Sequence, residues 1–317
     1  MIDELVRRLL SGERRALAQT ISLVENGAPE GHEALALLYS HTGRAHSIGI
    51  TGGSGSGKST LACGLALEFR RRGRTVGIIA VDPTSPFTHG ALLGDRIRMQ
   101  ELARDPEVFV RSMATRGELG GLAPATTEVA AVLDAAGKDI VLIETVGAGQ
   151  DEVEVASAAE TTVVVLTPAG GDDVQAMKAG IMEVADVLVV NKADLPGADG
   201  LVSQLQALTT MASRGRLETP IVSTIATKGE GVAELADALE EHRRRLAASG
   251  ELEQGRLERA RRQVLALARH RLLEQVLRAT ERDGRLEELA RSVARRELDP
   301  YAAAQRLVEA GGGREQA

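Results

Sequence analysis

Tryptophan is absent from this 317-residue chain, and Phe and Tyr bring the aromatic share to only 2%. Aromatic platforms for stacking unpaired bases are therefore lacking, and the core has to be built from Leu, Val, Ile and Ala. A positive surplus is missing too. Thirty-eight Lys and Arg face 45 Asp and Glu, a net charge of −7, so neither nucleic acid nor an anionic membrane is an expected partner. No apolar run reaches the roughly 18 residues that a membrane-spanning helix needs. The opening Met1-Ile2-Asp3-Glu4-Leu5 has neither the basic nor the apolar region of a secretory signal. Cys63 is the lone cysteine, which excludes an intrachain disulfide and fits a reducing cytoplasm. It reads as a small buried helix residue rather than a reactive thiol. Lysine is scarce as well, standing only at Lys58, Lys138, Lys178, Lys192 and Lys228, while arginine supplies the other basic positions. Such sparing use marks places where a compact ammonium group matters.

What is present is an ordinary globular hydrophobic fraction of 43% and one pattern with direct chemical content. Gly52-Gly53-Ser54-Gly55-Ser56-Gly57-Lys58-Ser59 matches the phosphate-loop pattern GxxxxGK[ST]. The apolar run Ile48-Gly49-Ile50 leads in and the helix-prone Thr60-Leu61-Ala62 leads out, so the pattern sits at a strand-to-helix junction. Glycines let the backbone turn N–H groups toward a polyphosphate, and the helix N-terminus favours the anion. Lys58 is then placed for the β- and γ-phosphates, and the Ser59 hydroxyl for Mg²⁺.

The chain divides into three by pattern. Residues 1–45 read as helices, with Ile2, Leu5, Val6, Leu9 and Leu10, then Leu17, Ile21 and Val24, at helical spacing. Gly27-Ala28-Pro29 breaks the chain before a third helix around Ala34 to Tyr39. Residues 46–245 alternate apolar runs with helical stretches; the runs are Ser47–Ile50, Val76–Val81, Ile140–Ile143, Thr162–Leu166, Val187–Val190 and Ile221–Val222. This predicts an α/β fold, a phosphate-loop core on a mostly parallel sheet buried on both faces. Residues 246–317 return to Arg-rich amphipathic helix. Its apolar stripe requires a partner, either the parent domain or a second copy of the chain.

Asn191-Lys192-Ala193-Asp194 follows the run Val187–Val190, at the C-terminal end of a strand where ligands bind in open α/β sheets. NKxD suits guanine. The Asp194 carboxylate accepts from the ring N–H and the exocyclic amine, and it would repel the ring acceptor of adenine. With the phosphate loop in the right order, the pattern predicts GTP. Two further strands end in acids, Asp82 and Glu144, positions from which a carboxylate approaches Mg²⁺. Asp82 opens a Pro/Gly-punctuated stretch containing Thr88, His89, Gly94 and Asp95, and Glu144 opens Glu144-Thr145-Val146-Gly147-Ala148-Gly149-Gln150. Both suit loops that respond to the γ-phosphate.

The blocks VDPTSPFTHGALLGDRIRM, IETVGAGQDE and TPAGGDDVQAMKAGIMEVADVLVVNKAD, with the phosphate loop, resemble the MeaB/ArgK-type G proteins. These are bacterial relatives of the human protein behind cblA-type methylmalonic aciduria. The resemblance spans roughly residues 1 to 310. It implies a GTPase core with a helical N-terminal extension and a helical C-terminal dimerisation arm, and service as chaperone to an adenosylcobalamin-dependent acyl-CoA mutase, by default methylmalonyl-CoA mutase. Matched position by position, it implies that Gly52 to Thr60 bind the phosphates and Asn191, Lys192 and Asp194 the guanine. Ser223-Thr224-Ile225 then form the second base-contacting loop. The family more often has a small residue after that serine, so Thr224 departs from the pattern. Asp82, Asp95 and Glu144 fall on the acids expected around Mg²⁺ and the attacking water. Pro168 to Lys178 match a third switch that signals to the mutase, with Lys178 and Asp172 or Asp173 as its charged contacts.

The expected chemistry is hydrolysis of GTP, slow without a partner, with Lys58 and Mg²⁺ stabilising charge on the transferred phosphoryl group. The water is oriented by Gln150 or by an acid of the first switch, Asp82 or Asp95. No DxHxxG pattern is present, so cobalamin is assigned to the partner. The rival readings are a metallocentre-assembly GTPase, a small-molecule kinase and a nucleotide-binding scaffold without turnover. The first ordinarily carries Cys/His clusters, which this sequence lacks; the second needs an acceptor pocket that no block requires.

Overall fold

Each of the apolar runs anticipated as a strand is one. The computed structural model describes residues 1–82, 102, 104–114, 122–145, 158–168, 184–212, 219–281 and 284–312. Within these, seven strands form one sheet: β1 (His46–Gly52), β2 (Val76–Asp82), β3 (Val108–Ala114), β4 (Ile140–Thr145), β5 (Thr161–Leu166), β6 (Val187–Asn191) and β7 (Ile221–Thr224). They lie in the order β3-β2-β4-β1-β5-β6-β7, and every pairing between neighbours is parallel. β3 was not among the runs anticipated. It is an edge strand whose sequence, Val-Phe-Val-Arg-Ser-Met-Ala, interrupts its apolar residues with Arg111 and Ser112, because an edge needs less burial than the centre.

The period-two alternation sorts the strands' side chains onto two faces. Ile48, Ile50, Ile78, Leu142, Val163, Val165, Val187 and Val189 pack with helix α4 (Lys58–Arg71), through Leu61, Leu65 and Phe69. Leu235 and Leu239 of a later helix, Val232–Ser249, join the same layer. The opposite face is covered in two parts. Ile79, Val81, Val141 and Ile143 pack against α1 (Ile2–Leu10), α2 (Arg14–Glu25), α3 (Pro29–Leu38) and α5 (Leu122–Ala135). Val164, Leu166, Leu188 and Val190 pack against α6 (Ala198–Ala212). The N-terminal helices therefore close one face of the sheet, with Leu9, Ile21 and Leu38 almost wholly buried.

At the N-terminal ends of the strands, buried polar groups form a second layer of order. The Thr161 hydroxyl bridges His46 Nε2, at 2.8 Å, and His242 Nδ1, at 3.0 Å. His242 lies in α7 (Val232–Ser249), with its Nε2 3.5 Å from Asp186 Oδ1. Burial pushes His46 down to about 3, with Arg243 and His242 nearby adding to the effect. Burial lowers His242 too, against the opposing pull of Asp186.

Two compact units are resolved, Met1–Arg256 and Leu257–Ala317. The boundary falls within α8 (Glu251–Glu281), which is followed by α9 (Arg285–Ala294) and α10 (Pro300–Gly312). In the second unit Leu257, Val264, Leu265, Leu272 and Leu273 are exposed.

Candidate nucleotide-binding site

The C-terminal ends of β1, β4 and β6 and the loop after β7 surround a cavity of about 420 Å³. β1 delivers the phosphate loop into it. Gly57, at φ +92°, is the N-cap residue of α4, so the cavity meets the positive end of that helix. A side chain at Gly57 would place its Cβ 2.4 Å from Asn191 Nδ2, and the backbone conformation is one that L-residues avoid. Gly52, at φ +140°, is closed to substitution for the same two reasons, its Cβ site lying 2.1 Å from the Val165 carbonyl oxygen.

Lys58 is buried to 6% exposure. Its ammonium donates to the carbonyls of Gly52 at 2.6 Å and Gly53 at 2.9 Å, which holds the charge against the loop that precedes it. Ser59 donates its hydroxyl to Glu144 Oε1 at the end of β4. Two hard oxygen donors from different elements thus meet beside Lys58, a donor set that fits Mg²⁺. Glu144 is itself fully buried. The backbone of Asp82 ends β2, which runs beside β4 with Val81 opposite Thr145.

A second wall is built from β6, β7 and their loops. Lys192 adopts a left-handed backbone, φ +57°, a conformation rare for a residue with a side chain and concentrated at functional turns. Its ammonium donates to the Gly55 carbonyl at 2.8 Å. Asn191 donates through Nδ2 to the Ser56 carbonyl at 2.7 Å. Asn191, Lys192 and Asp194 all line the cavity, and so do Ile225, Ala226 and Thr227. Asp194 Oδ2 lies 3.6 Å from Lys228 Nζ.

The structure brings the two separated sequence patterns to one cavity. Ser54, Gly55, Gly57, Lys58, Ser59 and Thr60 line it, as does Glu144. Gly52, Gly53 and Ser56 act from behind, through backbone carbonyls that accept the hydrogen bonds described above. Ser223 is exposed and outside the lining, while Thr224 is buried beside Asn191. Asp95, Gln150, Asp172, Asp173, Lys178 and His89 lie outside the described residues. Ala226, Thr227 and Lys228 were missed as site residues. The isolated bridge Ile225–Glu230 and Gly231, at φ +75°, close the turn that carries those residues.

Residues 17–281 match the family model described as methylmalonyl Co-A mutase-associated GTPase MeaB. The chain belongs to this family. A Pyrococcus abyssi protein bearing a GTPase name is 47% identical over 99% of this chain and 98% of its own. The mouse methylmalonic aciduria type A homolog, mitochondrial, is 35% identical over 79% of this chain and 65% of its own. Among solved structures, an LAO/AO transport system kinase superposes with a TM-score of 0.72 at 27% identity, covering 97% of this chain and 96% of that one. The family membership and this likeness agree on a phosphate-loop GTPase with a helical N-terminus.

Proposed function

We propose that this MeaB-family GTPase is a chaperone that couples GTP hydrolysis to adenosylcobalamin loading and protection of an acyl-CoA mutase, methylmalonyl-CoA mutase or a close relative. The observation that carries the reading is the family match across residues 17–281, since that segment holds the phosphate loop, Glu144 and the Asn191–Asp194 turn around one cavity. Asp194 reads the guanine edge. Lys58 leaves its two loop carbonyls for phosphate oxygens and offsets the negative charge that grows during transfer. Ser59 and Glu144, with Asp82 and Asp95, would hold Mg²⁺, which when bound neutralises phosphate charge. Gln150 or one of the first-switch acids orients the water. Asp172, Asp173 and Lys178 report the nucleotide state to the mutase, and cobalamin stays with that partner. The exposed leucines of α8 form the contact of a homodimer.

The test is the steady-state GTPase rate of the purified chain with and without an adenosylcobalamin-dependent acyl-CoA mutase, with ATP as control. A slow GTP-specific rate that rises at least several-fold with the mutase is expected. A rate indifferent to every such mutase removes the chaperone role and leaves the GTPase. Phosphate released to water, rather than transferred to a small-molecule acceptor, separates this reading from a kinase.

A further inference from the structure

We infer a binding site for one buried water molecule on the face of the sheet opposite Ser59 and Glu144, held by the hydroxyls of Thr51, Thr126 and Thr145. These residues are 0%, 3% and 2% exposed. Among the described residues none of the three hydroxyls has a hydrogen-bond partner. Burying a hydroxyl without a partner is costly, and in native folds such groups are ordinarily satisfied by ordered water. Here three of them come from three different elements.

Register and periodicity bring the three together. Ile50 stands opposite Glu144 in the β1–β4 pairing, and Ile50 and Leu142 face the α4 layer. Successive strand side chains alternate, so Thr51 and Thr145, the next residues along, both turn to the other face. They are neighbours on adjacent strands, about 5 Å apart, a gap that one water spans with two ordinary hydrogen bonds. Helix α5 supplies the third hydroxyl. Its last turn lies at the starts of the strands, where the Asp134 carboxylate accepts from the Gly43, Arg44 and Ala45 N–H groups. Its first turns therefore lie toward the strand ends. Leu133 covers Gly77, and Gly77 pairs with Val141. Thr126 stands two turns earlier, on the stripe that also carries Val129 and Ala130, about 10.5 Å nearer the strand ends. That distance is about three strand residues, which sets Thr126 level with Glu144 and Thr145. Neutral hydroxyls bring no charge to hold an ion, and each can donate or accept. Water is the ligand they fit, and about three hydrogen bonds is the usual complement of a buried water. Thr51 immediately precedes the phosphate loop and Thr145 immediately follows Glu144. The water thus joins the strand end that carries the loop to the strand end that carries the acid.

The experiment has two arms. A crystal structure of the full chain, at a resolution that shows ordered water, is expected to place one water within hydrogen-bond distance of all three hydroxyls. Three hydroxyls that share no water there overturn the inference. In solution, Thr51→Val, Thr126→Val and Thr145→Val, singly and together, are compared with wild type by melting temperature. Each single variant strips the water of one partner and should melt about 2–4 °C lower. The triple variant has no hydroxyl left to satisfy, so its loss should fall well short of the three single losses added together. Losses that simply add, or single variants that melt higher than wild type, mean that the hydroxyls act separately and overturn the shared site. Where a Val variant fails to fold, the crystallographic arm decides alone.

Discussion

Of the scarce lysines, Lys58, Lys192 and Lys228 each make contacts around one cavity. Lys58 and Lys192 donate to carbonyls of the phosphate loop, and Lys228 approaches the Asp194 carboxylate. Lys138, by contrast, donates to the Glu107 carbonyl at a strand connection, where burial lowers its pKa. Scarcity was therefore a usable sign, because a short-range point charge on a flexible stem reaches carbonyl and phosphate oxygens that a planar guanidinium fits poorly. Asp194 carries the sharpest residue-scale prediction. Asp194→Asn exchanges an acceptor-only group for one that also donates. Affinity for GTP is expected to fall by about 100-fold or more, two charge-assisted hydrogen bonds being affected, while xanthosine triphosphate, with an acceptor where guanine has an amine, gains. Competition against a fluorescent nucleotide measures both, and an undiminished GTP affinity would show that Asp194 does not read the base.

At the scale of elements, the buried strands were legible because parallel strands covered on both faces are written as near-continuous Val, Ile and Leu. The strand Val108–Ala114 was not, since Arg111 and Ser112 break the run and nothing local says that an edge tolerates them. The phosphate loop and the Asn191–Asp194 turn could be read because each needs fixed residue types at fixed spacing. The Ser223–Ile225 assignment could not be placed residue by residue: the sequence does not say that Thr224 turns inward to Asn191 while the lining runs through Ile225, Ala226 and Thr227. Nor did spacing reveal the His46–Thr161–His242 contact, which joins β1, β5 and α7 across more than a hundred residues. That contact sets a pH dependence. His46 has a folded value of about 3, below its ordinary value near 6.5. Between those limits the unfolded chain binds the extra proton, so its contribution is complete above about pH 6.5 and is lost as pH falls. His242 is shifted in the same direction. Relative to His46→Gln, wild type should lose about 2 kcal/mol of unfolding free energy between pH 7.5 and pH 5. Urea titrations at the two pH values measure this, and a constant difference would refute it.

For the whole molecule, the exposed apolar residues of α8 are the feature that a single chain leaves unexplained. Leu257 and Val264, like Leu265 and Leu272, recur seven residues apart and are each more than 60% exposed, the spacing of a seam between helices. The proposed homodimer makes these residues its contact. Leu265→Asp with Leu272→Asp is expected to shift the sedimentation coefficient from dimer to monomer, with far-ultraviolet circular dichroism unchanged. A wild-type chain that sediments as monomer at micromolar concentration ends the proposal.

The sheet order has a consequence for the chain's birth on the ribosome. β1 and its phosphate loop are made early, yet β1 is the middle strand, flanked by β4 and β5, whose residues lie roughly a hundred positions downstream. Such distant pairing is slow to close. The loop also waits for Asn191 and, behind it, Thr224. A nascent chain stalled before β7 emerges therefore carries every residue of the phosphate motif without the wall that shapes it. Nucleotide capture by such a stalled chain is therefore expected to be weaker than by the finished one, a difference that filter binding on ribosome-bound chains would measure.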